Sequence, residues 1–261
     1  MREEMKRFLT HPSFWLAMGG MMFCLLMVSV PSWIFVELPN RPEWRSSALV
    51  MAVTPVWFGG YMLILPFCCA IASVPAQVED LQSGFARWQV IRSSVRRYVC
   101  GKAAIGAMGG FLVGAAPFWL HAILWNGLAL PVDPIAYPEH ELYLGGLFGE
   151  WYDVAYGLPV VLWIGCGLGL CGGMTALMGL AAAAWIPDKL IAVTLPVVVT
   201  FFWSYDLSYA LFGIRLPRPA GLYNSGVTWE RAVQCLLMNG AVALTSFALY
   251  LSGVQRRMRH A

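Results

Sequence analysis

The chain predicts an all-α polytopic membrane protein, a single transmembrane domain over residues 1–261 with six transmembrane helices. Three observations predict it. Hydrophobic residues make up 59% of the 261 and charged residues only 12%, against roughly 25% charge in a soluble domain. Six apolar stretches stand out on the scale of the ~20 residues that a helix needs to cross the hydrocarbon. The basic residues fall unevenly between the segments joining those stretches, as they do in proteins oriented in a bilayer.

Residues 1–12 read as an interfacial helix, with Met5, Phe8 and Leu9 beside Lys6 and Arg7. The first span, Ser13 to Val36, is too long for a signal-peptide core and has no small-residue cleavage pattern after it, so it reads as retained. The second runs from Ala48 to Val74. Residues 76–102 then hold Arg87, Arg92, Arg96, Arg97 and Lys102, together with Val78, Leu81, Phe85, Trp88, Ile91 and Val95 at steps of three and four. That spacing predicts one amphipathic helix outside the bilayer, a docking surface for a soluble partner.

The third and fourth spans, Ala103 to Leu128 and Val154 to Trp185, each carry glycine at every fourth position. Gly106, Gly110 and Gly114 in one, and Gly165, Gly169 and Gly173 in the other, let a neighbouring backbone approach closely. The fifth span, Leu190 to Trp203, is short and runs into Ser204, Tyr205, Asp206 and Ser208. Its length predicts a re-entrant outer element over 205–229. Asp206 is the possible polar site there, better explained by a structural partner such as Arg215 than by a proton relay. The sixth span is Ala232 to Val254, with Asn239 inside it.

With both termini in the cytoplasm, the inner segments hold Arg2, Lys6, Arg7, the five basic residues of 76–102, Lys189, Arg256, Arg257 and Arg259. Only Arg41, Arg45, Arg215, Arg218 and Arg231 lie outside. The net charge of +3 is thus a topology signal for a plasma (inner) membrane protein, and nucleic-acid binding is not expected. The outer loop Ala129 to Asp153 has Asp133, Glu139, Glu141, Glu150 and Asp153 and no Lys or Arg. Exclusion of basic residues from outer loops explains that; the same loop would also attract a cationic peptide. Trp15, Trp33, Trp44, Trp151, Trp185 and Trp229 fall near the predicted interfaces, as in an aromatic belt.

The seven cysteines, Cys24, Cys68, Cys69, Cys100, Cys166, Cys171 and Cys235, lie in or beside spans, which predicts small buried packers rather than disulfides or a metal site. His140-Glu141 opens like a zinc-protease signature but has no second His four residues on, and no G-x-S-x-G elbow is present. His121, in a span, reads as a packed polar residue. No catalytic, metal or cofactor site is expected. No G-x-x-x-x-G-K-[ST] phosphate loop occurs either, so any work done must draw on an ion gradient or a partner.

Six spans, an amphipathic start, and a loop reading Glu79, Gly84, Ser93-Ser94-Val95-Arg96-Arg97 and Gly101-Lys102 resemble the type-two exporter class of ABC-transporter permeases. That loop in the family has Thr where this chain has Phe85, and a Pro-Val-Ser-Arg-like turn where this chain has Ser94 to Arg97. The resemblance implies a membrane subunit without its own ATPase domain. It implies a coupling helix carried by Glu79, Gly84, Phe85, Trp88 and Arg92, seated on an ATP-binding cassette ATPase that holds ATP and magnesium. It also implies a second permease subunit, identical or related, to form a dimer. An importer would place its long loop before the last spans, where this chain has only Ile186-Pro187-Asp188-Lys189. An apolar or amphipathic substrate, peptide or lipid-like, suits such walls. Two alternatives remain, an ion-coupled carrier and a membrane assembly factor, neither with an ATPase partner. The first lacks a visible inverted repeat, the second a converging catalytic set.

Overall fold

A computed structural model describes residues 2–37, 47–58, 61–128, 151, 157–204, 219–222 and 227–259. Nine α-helices are described: α1 Arg2–Thr10, α2 Pro12–Ser32, α3 Ala48–Phe58, α4 Tyr61–Gln82, α5 Phe85–Arg92, α6 Val95–Leu128, α7 Leu158–Trp185, α8 Lys189–Ser204 and α9 Trp229–Arg259. A π turn, Trp33–Glu37, continues α2, and a 3-10 turn, Pro219–Leu222, precedes α9.

Local chemistry sets the boundaries. His11 caps α2, its Nδ1 accepting from the Ser13 amide at 3.3 Å, and Pro12 occupies the first turn, where no amide donor is needed. Ser94 caps α6 through the Arg97 amide at 3.2 Å, Asp188 caps α8 through the Ile191 amide at 2.9 Å, and Thr228 caps α9 through the Arg231 amide at 3.4 Å. Pro31 ends the regular part of α2: a proline removes a helix donor and crowds the preceding turn, and the π turn follows within two residues.

Five helical segments are long and apolar enough to cross a membrane: Pro12–Phe35, Leu63–Gln82, Val95–Leu128, Leu158–Trp185 and Trp229–Arg259. This is a multi-pass membrane protein. The sequence reading needs correction at three places. The span Ala48 to Val74 is two helices, α3 and α4, on either side of residues 59–60, a Gly-Gly pair. The fifth apolar run, α8, has 16 residues, about 24 Å at 1.5 Å per residue, short of a core of about 30 Å. The third span starts at Val95 rather than Ala103, because Ser94 opens the helix before the apolar run begins.

Helix α7 is the centre of the bundle, packed against α4, α6, α8 and α9. It meets α6 across the most extensive helix–helix contact, and glycine makes that approach possible. A Cβ added to Gly110 would lie 2.4 Å from the Gly172 carbonyl oxygen, and one on Gly114 would lie 2.5 Å from that of Leu168. On the same seam Gly165 faces the Trp119 indole, Gly169 the Phe111 ring, Gly173 the Ala107 carbonyl and Gly106 the Leu180 side chain. Helices α2 and α9 are peripheral, with Leu16, Phe23, Leu237 and Leu244 turned outward; lipid, not water, suits such faces.

The two ends of the bundle differ in chemistry. At one end α1, the end of α4, α5, the start of α6, the end of α7, the start of α8 and the end of α9 converge. Arg7 and Lys102 reach Asp80, Lys189 reaches Glu79, and Arg257 reaches the Ala184 carbonyl. We call this the basic end. At the other end Trp151, Trp163 and Trp229 pack edge to face with ring centroids 5.6 to 5.9 Å apart, and Trp163 donates to the Leu222 carbonyl at 2.6 Å.

Candidate functional site

The basic end carries the densest polar organisation among the described residues, and it is built around α5. Gly84, with φ +75°, sits in the left-handed region that only glycine enters freely, and it separates α4 from α5. Ser93, with φ −129° and ψ −98°, ends α5 after eight residues. The single helix predicted from Val78 to Val95 is therefore wrong: two backbone breaks divide its apolar stripe among three helices. Val78 belongs to α4 and is buried with Val74, Ala183 and Ala192, whereas Val95 opens α6.

What remains on α5 faces outward. Ala86 is buried and Gln89 and Val90 are half-buried, whereas Phe85, Trp88 and Ile91 are 40%, 66% and 76% exposed. The helix thus turns Ala86, Gln89 and Val90 inward and its largest apolar residues outward. It is held in that attitude from behind.

Asp80, 1% exposed near the end of α4, organises the support. The Arg7 guanidinium lies 3.0 Å from its Oδ1 and the Lys102 ammonium 2.6 Å from its Oδ2. Lys102 also contacts Glu4 Oε2 at 2.7 Å, and the Glu4 carboxylate accepts a hydrogen bond from the Gln89 amide of α5. Arg7 completes the circuit, its guanidinium 5.2 Å from the centre of the Phe85 ring. Two carboxylates and two cations thus link α1, α4, α5 and α6, and Phe8 anchors α1 against Gly109 of α6. Burial pushes the Glu4 carboxyl up, but the hydrogen bond and charge of Lys102, the Gln89 amide and Arg7 outweigh it and leave it below its ordinary 4.5.

The other predicted site residues fall as follows. Glu79, half-exposed, pairs with Lys189 at 2.7 Å, and nearby Gln82 donates to the Pro187 carbonyl at 2.7 Å, tying α4 to the α7–α8 turn. Arg92 is exposed in the last turn of α5. Asp206, its suggested partner Arg215, and residues 129–150 of the acidic loop lie outside the described residues, as does most of the element expected over 205–229. Of the cysteines, Cys68, Cys69, Cys171 and Cys235 are buried and Cys24 is half-buried, but Cys100 and Cys166 are exposed, which corrects the reading of all seven as buried packers. Among the described residues no group of His, Cys, Asp or Glu is arranged to hold a metal ion.

Sequence reasoning missed Asp80, Glu4, Gln89 and the pairing role of Lys102. The signal the sequence offers for them is a carboxylate close to an apolar run, as at Asp80. His121 is fully buried, with Nε2 2.9 Å from Ser29 Oγ and accepting from the Trp125 indole at 2.8 Å. That indole contact places the imidazole proton on Nδ1, which has no hydrogen-bond partner among the described residues. No protein-family model, curated protein or solved structure matches the chain.

Proposed function

We propose that the chain is the membrane-spanning permease subunit of an ATP-driven exporter, with α5 as the coupling helix that a separate ATP-binding cassette subunit grips. The observation that carries this reading is the outward turn of Phe85, Trp88 and Ile91 on a helix clamped from behind by the Asp80 ion network. Large apolar groups on a short exposed helix gain most when a partner removes them from water, and Arg87, Arg92 and Glu79 around them would set orientation by charge. Coupling also requires that a push on α5 reach the spans. Gln89 to Glu4 to Lys102 to Asp80 is a continuous polar path from α5 through α1 and α6 to α4. ATP and magnesium would be bound by the partner, and a second permease subunit would complete the pathway for an apolar or amphipathic substrate.

The test is purification of the tagged chain from its native membrane, followed by the double variant Trp88→Ala, Ile91→Ala. Wild type should bring down a phosphate-loop ATPase and ATP hydrolysis; the variant should insert normally and lose both. If wild type carries no ATPase, or the variant keeps it, α5 is a membrane-surface helix with its apolar side in the headgroups, and the exporter reading fails.

A further inference from the structure

Between α5 and the first turns of α6 lies an open cleft of about 330 Å³, within the size range of small-molecule sites. Arg92, Arg97 and Lys102 line it with a single carboxylate, Glu4, and the Tyr98 and Ile105 side chains form its apolar wall. Lys102 is already committed to Asp80 and Glu4, while Arg92 and Arg97 make no ion pair among the described residues. Two guanidinium groups are therefore left to face one cavity. Ligands with negative charge and planar or bidentate oxygen geometry suit them best.

Depth narrows the choice. Lys102 is the last Lys or Arg on α6, and the run from Ala103 to Leu128 has no Asp, Glu, Lys or Arg. The cleft thus straddles the boundary between the charged and apolar parts of one helix, arginines on the charged side and Ile105 on the other. A phosphodiester with acyl chains attached matches both halves; a free phosphate matches only the first.

We propose that this cleft binds the phosphate of an anionic phospholipid headgroup. The site does not depend on an ATPase partner, because lipid alone would fill it. Bound lipid would bridge Arg92 of α5 to Arg97 of α6 across the Ser93–Ser94 break, a second link beside the one Glu4 makes between Gln89 and Lys102.

The experiment places the protein in nanodiscs of phosphatidylcholine with or without 20% (roughly one in five) phosphatidylglycerol, then counts retained lipids by mass spectrometry and measures thermal unfolding. Wild type should retain phosphatidylglycerol about fivefold over phosphatidylcholine and unfold at a higher temperature in its presence. Arg92→Gln with Arg97→Gln should lose the preference, whereas Arg92→Lys with Arg97→Lys, which keeps the charge but not the bidentate fork, should keep only part of it. Arg87→Gln with Arg96→Gln removes the same charge from positions that do not line the cleft and should retain the wild-type preference. Equal loss in the two glutamine pairs would mean diffuse attraction to the membrane and overturn the site, as would wild-type retention in the first pair. Glycerol phosphate added to phosphatidylcholine discs should give no stabilisation; if it matches phosphatidylglycerol, the ligand is a soluble phosphate and the lipid assignment is wrong.

Discussion

Asp80 is buried with two cations within 3.0 Å, and the two are not equivalent. Lys102 is largely enclosed and serves both carboxylates, whereas Arg7 is 46% exposed. Removing one partner of a buried pair leaves an uncompensated charge and costs about 3–5 kcal/mol, less where water can reach the survivor. Lys102→Met should therefore destabilise the protein by about 3 kcal/mol, since Arg7 still compensates Asp80 in part, and Arg7→Ala by about 1 kcal/mol. Unfolding in one fixed detergent checks the order, and an equal effect would mean that Asp80 is wetter than its burial implies. Glu4 adds a pH signature. A carboxyl held below its ordinary 4.5 contributes stability that is fully present above 4.5 and is lost as pH falls through the lower folded value. Wild type should be more stable than Glu4→Gln at neutral pH, and the gap should close as pH falls below about 4.5. None of this was legible as a site in the sequence, because Asp80 finds its partners 73 and 22 positions away on helices whose neighbours no single-helix pattern reveals.

At the level of elements, the α6–α7 seam separates glycines that face backbone from glycines that face side chains. Gly110 and Gly172 each oppose the other's carbonyl oxygen, whereas Gly169 opposes the Phe111 ring, which can move. Gly240 on α9 has open space where a Cβ would go. Overpacking a tight core costs typically 1–3 kcal/mol, and backbone cannot retreat as a rotamer can. Gly110→Leu and Gly172→Leu should therefore cost about 3 kcal/mol or more, Gly169→Leu roughly half as much, and Gly240→Leu nothing. Folded yield and thermal stability after extraction rank the four, and a harmless Gly110→Leu would show that α6 and α7 do not touch there. The every-fourth-residue glycines were visible in the chain, since period alone places them on one face. Gly172, outside that period, was not, and neither was the partner of any of them. The α5 boundaries were hidden for a different reason: Val78, Leu81 and Phe85 keep helical spacing across Gly84, so the apolar pattern continues through a break made by backbone conformation.

The whole molecule poses a question of parity. Both α1, through Arg7, and the last turns of α9, through Arg257, lie at the basic end, whereas Trp229 opens α9 beside Trp163 at the other. Lys189 starts α8 at the basic end beside Glu79. The stretch from 189 to 229 must therefore traverse the bundle, and α8, about 24 Å long, is its principal described helix. Composition and charge made a multi-pass membrane protein legible at once, but a 16-residue helix lies below the length at which hydropathy settles a crossing. From the charge bias the basic end is expected in the cytoplasm. In a cysteine-free background, His140→Cys and Asp206→Cys should both react with a membrane-impermeant thiol reagent on intact cells. Cys100, restored alone and exposed at the start of α6, should react only after permeabilisation. Reversal of all three would invert the orientation, while labelling at 140 but not at 206 on intact cells would mean that α8 turns back before reaching the outer surface.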